Sequence, residues 1–253
     1  MEKRRRVVNY EPSILSYTDI LGFRELVATR TAGEISRAIR IVREVVQPRR
    51  FKSPIPQVDE DDFRNFSDLC LIRRVIARKG KFPAIGQVHA QILHMVHVQS
   101  ILLADEGILL RGGITIGDAA LSYGQLFGPA VIRGYELEHD VARFPRIVVG
   151  HEVLAAVRRN RELWMHDRES EIQAIKELLR RDSDGEYFVD YLRVVEGELG
   201  DPSQYAEFLA KHKRFIENGL SRYKTNASVL PKYKWLREYH RQTIHYLKER
   251  RNV

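Results

Sequence analysis

Apolar runs and amphipathic stretches alternate along the first half of the chain, and their spacing separates strands from helices. Residues 13–22 are apolar and β-prone, which predicts a buried strand. From Leu26 to Val46 the apolar positions recur at helical spacing, so an amphipathic helix is expected. Two short runs, Phe63 to Ser67 and Leu69 to Ala77, predict a strand and its hairpin partner, with the turn close to Asp68.

The same analysis predicts further elements up to about residue 150. They are a helix over Ile85 to Ala104, a strand over Ile108 to Ile116, a helix over Pro129 to Ala142 and a strand over Pro145 to Val149. The order matches the ferredoxin-like split βαβ arrangement with additions. We therefore expect an α+β core over residues 1–150, with helices on one face of the sheet.

The last third of the chain has a different pattern. From residue 151 to 253 charged helices dominate, with one strand predicted at Tyr187 to Val194. A chain of 253 residues with 43% hydrophobic residues can bury one substantial core plus an appendage, so a mainly helical extension packed on the core is expected. Within it, residues 232–235 (Lys-Tyr-Lys-Trp) form either a docking helix that buries Trp235 and Leu236 or a segment that contacts phosphate or bases.

Charge and cysteine content narrow the class of protein. Lys and Arg number 42 against 34 Asp and Glu, and this net charge of +8 suits an anionic partner such as a nucleotide, a nucleic acid or an acidic lipid. The basic run Lys3 to Arg6 is typical of a solvated tail, so no nucleic-acid partner is expected. No apolar run reaches the ~20 residues that cross a bilayer. Cys70 is the only cysteine, which excludes an intrachain disulfide. A cytoplasmic protein without a membrane partner is expected.

One carboxylate stands near the end of the first predicted strand. Asp19 is followed by Gly22 and the start of a helix. Such a segment suits a site for phosphate and metal. The free amides at the start of the helix can bind phosphate oxygens, the glycine lets the phosphate approach the main chain closely, and the carboxylate can bind a cation. Capping of the helix by Asp19 is the alternative interpretation.

A second carboxylate stands where the two strands of the predicted hairpin turn. Adjacent strands of one sheet would bring Asp68 and Asp19 to one edge, where they could share Mg²⁺ or Mn²⁺ ions against a nucleoside triphosphate. The alternative is that Asp68 only forms the turn.

The ordered motifs over residues 13–150 resemble those of the class III adenylate and guanylate cyclases. Tyr17 to Phe23 is similar to the aromatic-x-Asp-Ile-x-Gly-Phe signature of that family, and Asp68 resembles its second metal aspartate. Arg111 to Gly117 looks like its Arg-x-Gly-Ile-x-x-Gly strand, and Phe127-Gly128 is similar to the aromatic-Gly pair before its last catalytic helix.

The resemblance implies a two-metal site and a shared active site. Asp19, Asp68 and the backbone carbonyl of Ile20 would hold Mn²⁺ or Mg²⁺, and the amides around Gly22 and Phe23 would cradle the terminal phosphates. A head-to-tail homodimer with active sites at its interface is implied. In that family the 3′-hydroxyl attacks the α-phosphate, pyrophosphate leaves and a 3′,5′-cyclic nucleotide results.

The last catalytic helix departs from the family pattern. Counting from Gly128, Ile132 and Glu136 occupy the positions at which the family has an Asn and a transition-state Arg. Arg133 and Tyr135 lie on the same predicted helix, and Arg133 is the candidate catalytic replacement. A catalytically degenerate nucleotide-binding sensor is the alternative function.

The base-recognition positions also differ from those of purine cyclases. Arg64 occupies the usual Lys position and Gln125 that of its acidic or thiol partner. A guanidinium donates to the carbonyl oxygens of uracil, whereas the alternative for Arg64 is an exposed strand residue. With the segment from Gly128 to Glu138, these changes resemble the pyrimidine cyclases of bacterial Pycsar anti-phage systems. That resemblance implies UTP, in preference to CTP, as substrate and a separate effector protein that responds to the cyclic nucleotide.

Overall fold

The computed structural model of the chain describes residues 8–47, 62–76 and 86–251, so the basic run at Lys3 to Arg6 lies outside the described residues. The strands are β1 (Glu11–Ile20), β2 (Asp62–Phe66), β3 (Leu69–Val75), β4 (Leu110–Ser122), β5 (Gln125–Phe127), β6 (Ile147–Val149), β7 (Leu179–Arg181) and β8 (Tyr187–Val189). The α-helices are α1 (Phe23–Thr29), α2 (Ala32–Val46), α3 (Gln87–Glu106), α4 (Pro129–Glu136), α5 (His151–Arg159), α6 (Arg168–Glu177), α7 (Tyr191–Leu199), α8 (Pro202–Arg222) and α9 (Leu230–Arg251).

The strands form one mixed sheet in the order β2-β3-β1-β4-β6-β8-β7, with β5 paired to β4 outside this path. The first four strands in this order are antiparallel neighbours, which is the arrangement of the ferredoxin-like fold. β6 then adds parallel to β4. The expected α+β fold class is confirmed.

Helices cover both faces of the sheet, so the expectation of helices on one face is wrong. On one face Gln91 of α3 donates to the hydroxyl of Ser16 in β1 at 2.6 Å. On the other face Gly134 of α4 packs against Leu15 and Tyr17. Successive side chains of a strand point to opposite faces, which is why β1 contacts helices on both sides.

Two predicted helices are interrupted. The helix expected from Leu26 to Val46 divides into α1 and α2, because Thr31 and Glu34 form a capping box that starts a new helix. The helix expected to end at Ala142 is α-helical only to Glu136 and continues as a π-helical turn, Leu137–Val141. This turn brings a different set of side chains against β4.

The strand predicted at Tyr187 to Val194 is wrong in its second half. β8 ends at Val189 and α7 begins at Tyr191. Asp190 lies between them with its carboxylate buried and ion-paired to Arg180 and Arg193 at 2.9 and 3.0 Å. The apolar run therefore divides between two elements at a buried charge that local patterning does not reveal.

The C-terminal segment is built into the core. Arg146 is fully buried just before β6 and pairs with Asp182 and Asp184, which lie in the connection between β7 and β8. Leu236 of α9 is fully buried and Trp235 stacks on Phe144, as the docking-helix alternative predicts. Among the helices described, none combines the length and the apolar character needed to cross a bilayer.

Candidate active site

Asp19 lies near the end of β1, on the same face as Leu15 and Tyr17. Gly22 is the N-terminal cap residue of α1 and has a φ of +82°, in the left-handed region that favours glycine. No side chain caps this helix. The capping role considered for Asp19 is therefore wrong, and its carboxylate is available for other contacts.

Asp68 lies in the turn between β2 and β3, as predicted, and beside Asp19. β3 pairs with β1 through Cys70 and Thr18, which brings the turn next to the end of β1. The two carboxyl groups share a hydrogen bond, and burial, this bond and the charge of Asp68 raise the pKa of Asp19 to about 8. The structure thus brings together the two carboxylates expected from the sequence. Ionisation of both becomes favourable when a cation compensates their charge.

Arg111 stands directly opposite Asp19 on β4 and contacts two acidic side chains. Its Nη2 lies 3.4 Å from Asp19 Oδ2, and its Nε lies 2.5 Å from Oε1 of Glu138. Glu138 is buried, and that burial raises its pKa. The sequence did not identify Glu138 as a site residue, because only the π-helical turn after α4 carries it to this position.

Arg133, the candidate catalytic arginine, is held by two acidic side chains. Its Nη1 lies 3.2 Å from Glu136 Oε2 and its Nε lies 3.3 Å from Glu152 Oε1. The hydroxyl of Thr115 donates to the same oxygen of Glu152 at 2.6 Å. Within the described ranges no hydrogen bond or ion pair joins Arg133 to the carboxylate pair. The Nη2 of Arg133 makes neither of these contacts, so it can donate to a phosphate while both acidic partners stay in place.

Arg64 and Gln125, the candidate base-contacting residues, lie close together. The Nε of Arg64 donates to the carbonyl of Gly124 at 2.7 Å, and its Nη1 donates to a carbonyl of its own strand at 2.6 Å. Gly124 directly precedes Gln125, whose side chain is exposed. Gln125 follows the end of β4, whereas Arg64 lies on β2, four residues before Asp68, and is in register through β3 and β1 with Gly113 near the beginning of β4.

The remaining site residues contribute main-chain groups. The side chain of Ile20 is buried at 2% exposure, and Phe23 packs partly buried against the core. Only the carbonyl of Ile20 and the amides of Gly22 and Phe23 are therefore candidates for ligand contact. Amides in the first turn of a helix have no intrahelical acceptor.

The carboxylate pair offers few protein ligands to a metal ion. In the part of the chain that the structure describes, no group of three or more His, Cys, Asp or Glu side chains is arranged to hold a metal. A cation bound here would complete its coordination with main-chain, water or substrate oxygens. Mg²⁺ often binds in this way, through one or two carboxylates plus phosphate oxygens.

Comparisons with known proteins give structural likenesses at low identity. No family model matches the chain, and neither does any curated protein. The guanylyl cyclase domain of the RhoGC fusion protein from Blastocladiella emersonii is 13% identical, with 73% of this chain and 98% of that one covered and a TM-score of 0.49. The adenylyl cyclase CyaB from P. aeruginosa is 15% identical, with 73% and 96% covered and a TM-score of 0.46.

A third likeness is to a class III adenylyl cyclase-like ATP-binding protein from Pseudomonas aeruginosa. It is 14% identical, with 66% of this chain and 41% of that one covered and a TM-score of 0.44. All three TM-scores are below 0.5.

Proposed function

We propose that the protein is a metal-dependent nucleotide cyclase that converts a pyrimidine nucleoside triphosphate to its 3′,5′-cyclic monophosphate and pyrophosphate. The observation that carries the proposal is the convergence of Asp19 and Asp68 from neighbouring strands at the end of β1. Motifs that resemble those of class III cyclases surround this pair, and Arg111 of the glycine-rich strand contacts Asp19.

The residues at the pair fit a hard divalent cation, since every candidate donor is an oxygen. Asp19, Asp68 and the carbonyl of Ile20 would hold Mn²⁺ or Mg²⁺. When bound, such ions would neutralise part of the triphosphate charge and would lower the pKa of the attacking hydroxyl. The amides of Gly22 and Phe23 would bind terminal phosphate oxygens.

In the proposed reaction the 3′-oxygen forms a bond to the α-phosphorus as the bond from that phosphorus to the β-phosphate bridging oxygen breaks. The hydroxyl proton passes to solvent water, and pyrophosphate leaves with the electron pair of the broken bond. Arg133 would stabilise charge on the reacting phosphate through its Nη2, which contacts neither Glu136 nor Glu152. Charge stabilisation of this kind lowers the barrier to phosphoryl transfer.

We propose UTP, in preference to CTP, as the substrate, with Arg64 and Gln125 contacting the base. Arg64 Nη2 makes none of the hydrogen bonds that hold the guanidinium to main-chain carbonyls. Arg64→Ala should lower kcat/KM for the pyrimidine about tenfold or more, and for ATP much less. An equal loss for all four triphosphates would assign Arg64 to phosphate binding or structure instead.

A homodimer is part of the proposal. In the class III cyclases that the motifs resemble, a second copy arranged head to tail supplies the base contacts, and the same arrangement here would join Arg64 and Gln125 of one chain to Asp19 and Asp68 of the other. Exposed apolar side chains support such an interface: Phe66, Tyr123 and Ile132 are 80%, 102% and 62% exposed.

The alternative function is a sensor that binds a nucleotide without converting it. Ile132 and Glu136 stand where class III cyclases have an Asn and an Arg, and Glu136 pairs with the one arginine proposed to replace them. In this case binding of a triphosphate would persist and no cyclic product would form.

The test is incubation of the protein with each of the four triphosphates and Mn²⁺, with products identified by mass spectrometry. Wild type should release cyclic UMP, and Asp19→Asn and Asp68→Asn should release none while remaining folded in a thermal melt. Asp118→Asn, at an exposed carboxylate of β4, is the matched control. Triphosphate binding without any cyclic product in wild type would favour the sensor.

We further propose that the cyclic nucleotide is an anti-phage alarm signal read by a separate effector protein. The support is the sequence resemblance to Pycsar cyclases. Cells that carry the chain with a candidate effector should resist phage, and Asp19→Asn should remove that resistance. Equal resistance with the variant would contradict the signalling role.

A further inference from the structure

A cleft of about 490 Å³ lies between the first two helices and the C-terminal helical pair. We call it the α1–α9 cleft; residues of α1, α2, α8 and α9, the β1–α1 turn and the loop before β4 line it. Gly22, three positions after Asp19, and Lys232, in the first turn of α9, both belong to its lining. The cleft therefore connects the carboxylate end of β1 with the C-terminal extension.

Lys232 has an unusual environment for a lysine. Burial lowers the pKa of Lys232, the positive charge of Arg111 lowers it further, and the charge of Glu25 opposes this. No ion pair joins Lys232 to an acidic side chain in the described ranges. An ammonium group kept partly out of water and near a second cation is stabilised when an anion binds between them.

The packing of α8 and α9 holds Lys232 in this position. The ring of Tyr233 stacks on that of Tyr223, with centroids 5.5 Å apart. Gly219 makes this possible, because a Cβ at that residue would collide with the ring of Tyr233. Tyr223 and Glu25 of α1 both line the cleft, and burial and the charge of Glu25 raise the pKa of Tyr223. The start of α9 is thus fixed relative to α8, close to α1.

Two of the three arginines that line the cleft are already engaged, and the third, Arg37, is exposed on α2. Arg30 pairs with Glu34 at 3.1 Å, and the guanidinium of Arg222 lies over the ring of Tyr223 at 5.3 Å. Arg111 contacts Asp19, and its positive charge also lowers the pKa of Lys232. The guanidinium of Arg111 therefore lies close enough to interact both with the carboxylate pair and with the lysine of the cleft.

We propose that Lys232 binds the phosphate groups of the nucleotide, and that it does so in the same chain that supplies Asp19 and Asp68. The nature of the nucleotide rests on the proposed function, whereas the phosphate contact rests on the cleft and its charges. A phosphate chain that extends from the carboxylate pair past Arg111 would meet the ammonium of Lys232. The C-terminal extension would then contribute directly to substrate binding.

The test uses inorganic tripolyphosphate with Mg²⁺ as the probe and isothermal titration calorimetry on the full chain. Lys232→Met should weaken binding about five- to fifty-fold, and Lys232→Arg should restore part of it. Lys234→Met, at an exposed lysine on the same helix, should bind as wild type does. Unchanged affinity in Lys232→Met, or no binding by wild type, would overturn the proposal.

A second measurement needs no variant and so does not depend on folding of Lys232→Met. Tripolyphosphate should slow acetylation of Lys232 in the wild-type chain about fivefold or more while leaving Lys234 unaffected, as read by peptide mass spectrometry. Equal acetylation of Lys232 with and without the probe would count against it. If no triphosphate gave a cyclic product, the proposed cyclase activity would be refuted. The calorimetry and the acetylation measurement would still show whether Lys232 binds phosphate.

Discussion

Replacement of Asp19 by asparagine separates a ligand role from a structural one. The side chain is 21% exposed, and burial and Asp68 raise its pKa to about 8, so an ionised Asp19 is unfavourable in the folded chain without a cation. Asparagine keeps the shape, and its amide can donate to Asp68 as the protonated acid does. We expect Asp19→Asn to stabilise the metal-free protein.

The size and the sign of the effect follow from the pKa of Asp19. An acid whose pKa is raised by folding destabilises the folded state once it ionises in the unfolded chain. For Asp19 this destabilisation grows as the pH increases from 3.8, the ordinary pKa of the side chain, to about 8, its pKa in the folded protein. Each pKa unit corresponds to about 1.4 kcal/mol, so the roughly three units up to pH 7 set an upper bound of about 4 kcal/mol. Water reaches part of the side chain, and asparagine loses the ion pair with Arg111. We therefore expect about 1–3 kcal/mol, or about 3–10 °C in Tm.

Thermal melts of wild type and Asp19→Asn in EDTA at pH 5, 6, 7 and 8 would measure this difference. The Tm advantage of the variant should be smallest at pH 5 and should grow to pH 8, because only wild type gains an unfavourable charge over that range. Asp118→Asn should show no such trend. Addition of Mn²⁺ should raise the Tm of wild type and leave that of Asp19→Asn unchanged.

Two results would refute this reasoning about Asp19. If the variant were less stable than wild type by the same amount at every pH, Asp19 would be a structural partner of Arg111 rather than a carboxylate awaiting a cation. If Mn²⁺ stabilised wild type and variant equally, the metal would bind elsewhere.

Three further predictions concern the dimer and the stability of the fold. Mixing Asp19→Asn and Arg64→Ala chains should restore part of the cyclase activity, since a head-to-tail heterodimer carries one intact site; no recovery after demonstrated subunit exchange would contradict a shared site. Arg146→Met should cost about 3–5 kcal/mol in urea unfolding, because it leaves two carboxylates without their buried partner, and a loss under 1 kcal/mol would contradict this. His212 is buried with its pKa lowered to about 3, so its contribution to stability is lost as the pH falls below about 6.5; between pH 7 and 5 wild type should lose about 2 kcal/mol more than His212→Gln, and parallel pH profiles would contradict this.

The features that the sequence predicted correctly depend on local patterns. The apolar run before Asp19 and the two short runs around Asp68 specify strands that pair, and pairing alone brings the carboxylates together. The turn at Gly22 is equally local, because a positive φ favours glycine.

The features that the sequence missed depend on contacts between distant segments. Glu138 enters the site through a π-helical turn, which has no simple sequence signature. Lys232 lines the α1–α9 cleft only because α9 (Leu230–Arg251) packs near α1 (Phe23–Thr29), which lies far from it in the sequence. The division of the run after Tyr187 depends on buried ion pairs of Asp190, whose partners the sequence alone does not identify.

The strand order has a consequence for self-association. β6 is a short run of fully buried apolar residues, Ile147–Val149, and β8 pairs along the side of it that β4 leaves free. Without residues beyond 150, that side would present bare main-chain groups flanked by apolar side chains, which is a template for aggregation. Among the strands that the structure describes, the outermost on this side is instead β7, three residues long with Arg180 and Arg181 in it. Short, charged strands resist pairing with other molecules, so the C-terminal segment protects this side of the sheet against aggregation.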